Sequence, residues 1–251
     1  MLFLLSPAKN LDFESQISPI GATKLQFSKK TEELVTILQD MSTSDIKKLM
    51  NLSDNLANLN YGRYENFYTQ KQRPALMAFK GDVYKNINID QFDDKNWQFA
   101  QENCRILSGL YGILKPKDAI YPYRLEMGTK LNSQYGKNLY QFWGDLITEN
   151  INKELEGQKN KVVVNLASKE YFGAVNENKI NGKVINIDFK QRKGNQLKTI
   201  GLMAKRARGA MADFIIRNFI EDCDCLVDFK GNDYLFDQSL SDDNKMVFVA
   251  N

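Results

Sequence analysis

Apolar positions along the chain fall into two patterns, short unbroken runs and stripes that recur every three or four residues. Residues 2–5, Leu-Phe-Leu-Leu, are an unbroken run and predict a short buried strand. Residues 28–40 predict a helix, with Leu34, Ile37, Leu38 and Met41 on one stripe and Ser28 as its N-cap. Ser44 and Ser53 are placed to cap two further short helices. The run Ala75-Leu76-Met77-Ala78-Phe79 predicts a buried strand leading into Lys80-Gly81-Asp82.

Farther on, Trp97, Ala100, Cys104 and Leu107 mark a helix over 94–107. The longest stripe runs from Leu139 through Phe142, Trp143, Leu146, Ile147 and Ile151 to Leu155 and predicts one helix over 138–155. The β-branched run at 161–166 predicts a strand. Residues 183–189 and 196–203 predict a hairpin through Lys193-Gly194-Asn195. A helix is expected over 207–219, with Met211, Phe214, Ile215 and Phe219 inward, and a strand at Lys245 to Val249. The alternation predicts a mixed α/β fold. With no repeat, no low-complexity tract and no linker, residues 1–251 are expected to form one compact unit.

Composition narrows the chemistry more than the fold. The 251 residues include no histidine, which excludes Ser-His-Asp and Cys-His nucleophiles and imidazole metal sites. No side chain then has an ordinary pKa between about 5 and 8, so acid–base work falls to carboxylates, Lys, Tyr or Cys. Cys104, Cys223 and Cys225 make neither a disulfide framework nor a CxxC motif, and suggest reduced thiols in the cytoplasm. The apolar start is too short, and too quickly interrupted by Ser6-Pro7, to read as a signal peptide. No apolar stretch approaches the roughly 18 residues of a membrane span.

The net charge of +3 is unevenly spread. Residues 186–210 carry seven basic side chains (Lys190, Arg192, Lys193, Lys198, Lys205, Arg206, Arg208) against Asp188 alone, an excess of six. Residues 211–251 carry three basic residues against nine acids, an opposite excess of six. Lys205-Arg206-Ala207-Arg208-Gly209 is expected where a strand hands over to a helix, a place where backbone N–H groups and basic side chains make an anion site.

Two further features carry candidate chemistry. Leu107-Ser108-Gly109-Leu110-Tyr111-Gly112 has the spacing of a helix-hairpin-helix turn, whose N–H groups face a nucleic-acid phosphate. Pro116 shortens the second helix, and a structural tight turn is the plain alternative. Tyr111, Tyr121, Tyr123 and Trp143 are either base-stacking rings or core. Polar groups also follow three predicted strands: Ser6 to Lys9 with Asp12, Lys80-Gly81-Asp82, and Asn165 to Ser168 with Glu170. Strand carboxyl ends are where α/β proteins build ligand sites, so one shared cleft is expected. There is no Walker A or GxGxxG sequence.

Taken together, Ser6-Pro7-Ala8-Lys9 with Leu11-Asp12, Phe79 to Tyr84, Leu107 to Gly112, Pro122 to Gly128, Leu139 to Asp145, Asn165 to Ser168 and Lys205 to Gly209 resemble the YaaA family, also called UPF0246 or DUF328. The resemblance spans nearly the whole chain. It implies a cytoplasmic bacterial protein of the peroxide-stress response, linked to limiting free iron and to DNA. It also implies a single α/β unit of unusual topology with a basic cleft and a helix-hairpin-helix-like element.

Two functional readings follow. In the first, DNA is bound in a sequence-tolerant way by Gly109, Leu110, Tyr111, Gly112 and Lys115, with Lys9, Lys80, Arg124, Lys205, Arg206 and Arg208 around the cleft. In the second, a Lys–carboxylate pair acts on damaged DNA or a nucleotide, drawn from Lys9, Asp12, Lys80, Asp82, Glu126, Asp145, Glu170 and Lys205. Direct iron storage is poorly served: no His is present, and the acids at Asp222, Asp224, Asp242 and Asp243 suit a solvated tail. No cofactor and no resident metal are expected.

Overall fold

A computed structural model describes residues 1–17, 20–194 and 196–250. The chain opens with β1 (Leu2–Leu5) and β2 (Asn10–Leu11), followed by three helices, α1 (Ser28–Gln39), α2 (Thr43–Met50) and α3 (Asp54–Glu65). A short block follows: β3 (Arg73–Pro74), α4 (Ala75–Ala78) and β4 (Phe79–Lys80). Next come α5 (Asp94–Asn103), β5 (Cys104–Ser108), β6 (Gly112–Leu114) and β7 (Ala119–Ile120). The second half holds α6 (Leu139–Trp143), α7 (Leu146–Glu156), β8 (Val162–Asn165), α8 (Lys169–Phe172), β9 (Lys183–Lys193), β10 (Gln196–Lys198), α9 (Gly201–Arg217), β11 (Leu235–Phe236) and β12 (Lys245–Ala250).

The main sheet has eight strands in the order β11-β12-β9-β8-β1-β5-β6, with β10 added to β9. Its centre, from β12 to β5, is parallel, and β6, β10 and β11 are antiparallel additions. All four residues of β1 are buried, as an unbroken apolar run requires of a central parallel strand covered on both faces. By contrast, β9 alternates, burying Ile185, Ile187 and Phe189 and leaving Asn186, Asp188 and Lys190 half-exposed. The mixed α/β expectation holds. No helix among the described residues is long and apolar enough to cross a membrane.

Several expected elements differ, each for a local reason. Ala75–Ala78 is a helix and not a strand. A four-residue apolar run has no readable period, and Ala, Leu and Met are strong helix formers with no β-branch. The helix expected over 94–107 ends at Asn103, and Cys104–Ser108 turns into a strand paired with β1, Phe3 opposite Cys104. Every residue of that strand is buried, so the stripe continued by coincidence. The helix expected over 138–155 breaks into two at Gly144, which takes a left-handed backbone (φ 49°).

β10 stops at Lys198 and α9 begins at Gly201, six residues before the expected start. Leu202, Met203, Ala204, Lys205 and Arg206 all favour helix, and Ala204, Ala207 and Met211 extend the buried stripe backwards. Phe219 lies past the end of that helix and is 45% exposed. Ser28 is the first helical residue of α1 and not its cap. The cap of α2 is Ser42 and not Ser44, and Ser53 occupies the cap position of α3 without a side-chain bond. Of the predicted hairpin connection, Asn195 lies outside the described residues.

Candidate functional site

The sheet changes direction at β1. From β1 the chain crosses to β5 on one side, whereas β8, β9 and β12 build outward on the other. Ligand crevices in parallel sheets open at such a switch, beyond the strand carboxyl ends. Here the segments leaving β1 and β8 are tied together: Ser168 N–H donates to Ser6 Oγ (2.8 Å) and Leu166 N–H to the Leu4 carbonyl (3.0 Å). The third segment is brought in by the ribbon that pairs Asn10 with Lys80. Tyr84 locks it in place by donating its hydroxyl to the Ser6 carbonyl (2.8 Å). All three predicted strand ends therefore line one cleft of about 460 Å³.

α9 closes the fourth side. A methyl group at Gly209 would lie 1.9 Å from the Val83 carbonyl oxygen, so the helix backbone sits directly on that turn. This contact turns Lys205 and Arg208 into the cleft. The five residues Lys205 to Gly209 thus lie within the helix and not at its start, and they act through side chains, not through free backbone N–H groups.

Most charges around the cleft are matched. Lys9 Nζ meets Glu126 at 2.7 Å, and Arg124 meets the other oxygen of Glu126 at 3.0 Å. Asp12 bridges Lys80 (3.3 Å) and the fully buried Arg73 (3.1 Å), while Arg206 approaches Asp82 at 4.0 Å. Hydrogen bonds from the Ser15 hydroxyl and N–H, aided by Glu14 N–H and Lys80, hold the Asp12 carboxyl well below the usual range. Glu170 Oε1 accepts from Gly128 N–H (2.9 Å). Burial pushes the Tyr84 and Tyr171 phenols well above their ordinary pKa, so both stay protonated.

Lys205 and Arg208 are the exceptions, with no carboxylate at ion-pair distance among the described residues. Of the two, Arg208 also has a buried Nε with no hydrogen-bond partner. Burial lowers its pKa, and Asp188, farther off, only partly opposes this.

Other predicted residues lie elsewhere. Gly109 to Gly112 do not join two helices: they connect β5 to β6 in an antiparallel hairpin, with Ser108 opposite Gly112. The expected helix-hairpin-helix turn is therefore a buried β-turn. Leu110 and Tyr111 are 0% and 1% exposed, and a methyl at Gly109 would lie 2.3 Å from the Leu125 carbonyl oxygen. Trp143 Nε1 donates to the Gly109 carbonyl (3.0 Å), and Tyr111 N–H goes to Ser108 Oγ (3.1 Å). No phosphate reaches those groups. Tyr111, Tyr123 and Trp143 are core, and Tyr121 is half-buried against Phe67.

Lys115 lines a separate cavity of about 200 Å³, beside Glu154, which also holds the buried Arg105 (3.3 and 2.5 Å). Asp145 pairs with Lys179 on the surface (2.6 Å). Two helices joined by a tight turn do occur, but at α2 and α3, linked through Asn51 in the left-handed region (φ 48°). The sequence reading missed Arg73 and Tyr84 as supports of the cleft. Each acts through a partner distant in sequence; Tyr84 stands in a segment that carries the family resemblance, and Arg73 in no such segment.

The family model for peroxide stress protein YaaA matches residues 1–240. The chain belongs to the YaaA family. Among its relatives is a UPF0246 protein of Crocosphaera subtropica, 44% identical over 249 residues, covering 99% of this chain and 100% of the relative. A UPF0246 protein of Saccharophagus degradans is 42% identical over 253 residues, covering 99% of each chain. The family name supports a part in the peroxide-stress response.

Proposed function

We propose that this peroxide-stress protein binds DNA across the rim of the cleft, through phosphate contacts and without sequence preference. The observation that carries the reading is the direction of β9. It runs parallel to β8 and β1, so its far end, with Lys190 and Lys193, lies at the same sheet edge as Ser6 and Ser168. Lys198 on β10 pairs back onto that end, opposite Gln191. The basic excess of residues 186–210 is thereby gathered beside the cleft that Lys205 and Arg208 enter. A local field of this kind attracts phosphates even on a nearly neutral protein. The reading does not use the Gly109–Gly112 turn.

The test is a salt titration of duplex binding. Log affinity is expected to fall linearly with log salt, by about 0.9 per phosphate neutralised. Replacing Lys190, Lys193 and Lys198 by Gln is expected to flatten that slope. A slope unchanged by the triple variant, or no binding at low salt, rejects the reading.

A second reading is favoured by the cleft being concave and placed where α/β enzymes bind ligands. In it, the neutral amine of a cleft lysine, Lys9, Lys80 or Lys205, adds to the C1′ aldehyde of a ring-opened abasic sugar, and water leaves as the Schiff base forms. Borohydride trapping on an abasic duplex is expected to yield a covalent adduct, and binding without an adduct removes this reading. The geometry adds nothing to a link with iron. Asp222, Cys223 and Asp224 cluster, but Asp222 already accepts Asp224 N–H (3.0 Å) within its own turn.

A further inference from the structure

We propose that the α9 side of the cleft is a phosphate subsite for a single nucleotide unit, anchored by Arg208 with Lys205 beside it. The proposal rests on reading the cleft as a nucleic-acid site and says which part of the nucleic acid enters it.

The argument starts from the unmatched guanidinium. Arg73 and Arg105, the two fully buried arginines among the described residues, each have a carboxylate partner at 3.1 and 2.5 Å. Arg208 has none among the described residues, although its Nε is closed off from solvent. Arg208 is half-buried, and a partly desolvated cation gains from a bound counter-charge. Arg208 is also held in place. The contact of Gly209 with the Val83 carbonyl fixes the helix turn that carries it, so the base of the side chain stays on the cleft wall. A guanidinium presents a planar fork of N–H donors that suits the oxygens of a phosphate. Lys205, one turn earlier on α9 and lining the same cleft, adds a second positive charge.

The rest of the cleft says what the phosphate is attached to. Its volume, about 460 Å³, is in the range of small-ligand pockets and cannot admit a base-paired stack. Val83, Tyr84, Leu166 and Tyr171 give it an apolar side, suited to a base or sugar face. Glu170 offers its second oxygen, Oε2, which makes no bond among the described residues, as an acceptor for ring or exocyclic N–H groups. A unit of this kind comes from a strand end or a nucleotide swung out of the stack, the form in which a base leaves a duplex.

The experiment is calorimetric titration of the full chain with deoxyadenosine 5′-monophosphate, deoxyadenosine and inorganic phosphate. The monophosphate is expected to bind at least tenfold tighter than either of the others. Arg208→Ala is expected to lose at least tenfold in monophosphate affinity, and the distant Lys245→Gln to lose nothing. Arg208→Lys keeps charge but not the fork, and is expected to lose severalfold while melting at the wild-type temperature. It decides the matter if the alanine variant does not fold. Equal binding by wild type and Arg208→Lys overturns the proposal. So does a nucleoside that binds as well as its monophosphate. Inorganic phosphate binding as tightly as the monophosphate shows an anion site only and overturns the nucleotide assignment. Duplex binding with its salt slope, but no monophosphate binding, removes the subsite and leaves the DNA reading standing. Monophosphate binding without duplex binding does the reverse.

Discussion

Asp12 shows how a residue that resembles a catalytic group can be fully occupied with holding its neighbours. One oxygen accepts from Glu14 N–H, Ser15 N–H and Arg73, the other from the Ser15 hydroxyl and Lys80. Arg73 also donates to the Asp12 and Ser15 carbonyls and is 1% exposed. Removing the carboxylate leaves that guanidinium buried without its counter-charge. Asp12→Asn is therefore expected to cost about 3–5 kcal/mol in denaturant unfolding. The pH dependence follows from the depressed folded-state pKa. The stabilisation is complete above the ordinary value of 3.8 and is lost as pH falls below it. The Asn variant should show a correspondingly shallower acid limb. That Asp12 and Lys80 belong near one another was legible, because both follow strands. That Arg73 lies between them was not, since nothing marks an arginine before Pro74 as a buried counter-ion.

Among the elements, the helices whose ends carry chemistry were read less well than the stripes. α2 is held by a reciprocal cap: Ser42 Oγ accepts Asp45 N–H (3.2 Å) and Asp45 accepts Ser42 N–H (3.1 Å). The Ser-x-x-Asp spacing was visible, yet Ser44 competes with Ser42 on residue type alone. Ser42→Ala is expected to cost about 1 kcal/mol, and Ser44→Ala nearly nothing, by thermal or chemical unfolding. α9 is a sharper case. Its apolar stripe is plain from Met211 onward, but the turn that faces the cleft precedes that point, in a stretch whose charges disguise good helix formers. Gly209→Ala is expected to destabilise the protein by about 1–3 kcal/mol and to weaken DNA binding as well, because the helix must back away from Val83. Stability loss with unchanged binding would mean that the helix position does not govern the cleft. The β5–β6 hairpin is not legible in the sequence, because a Gly-x-x-Gly turn looks the same between strands as between helices. Only the pairing of Phe3 with Cys104 decides it.

For the whole molecule, the charge blocks were legible as numbers and the convergence of strand ends as a rule of α/β architecture. The sheet order was not. A sequence does not show that β8 returns beside β1, and that return is what draws Ser6 and Ser168 into hydrogen-bond contact. The same arrangement has a consequence in time. β1 leaves the ribosome long before either neighbour: residues 2–5 pair with 104–106 on one side and 163–165 on the other. At roughly 5–20 residues per second, the second neighbour follows after about 10–30 s. For about the first 5–20 s, until β5 is made, the nascent chain carries an entirely apolar strand with nothing to pair with. Folding therefore has to wait for the middle of the protein to be made, and a peptide-binding chaperone that covers Leu2 to Leu5 has a long window in which to act.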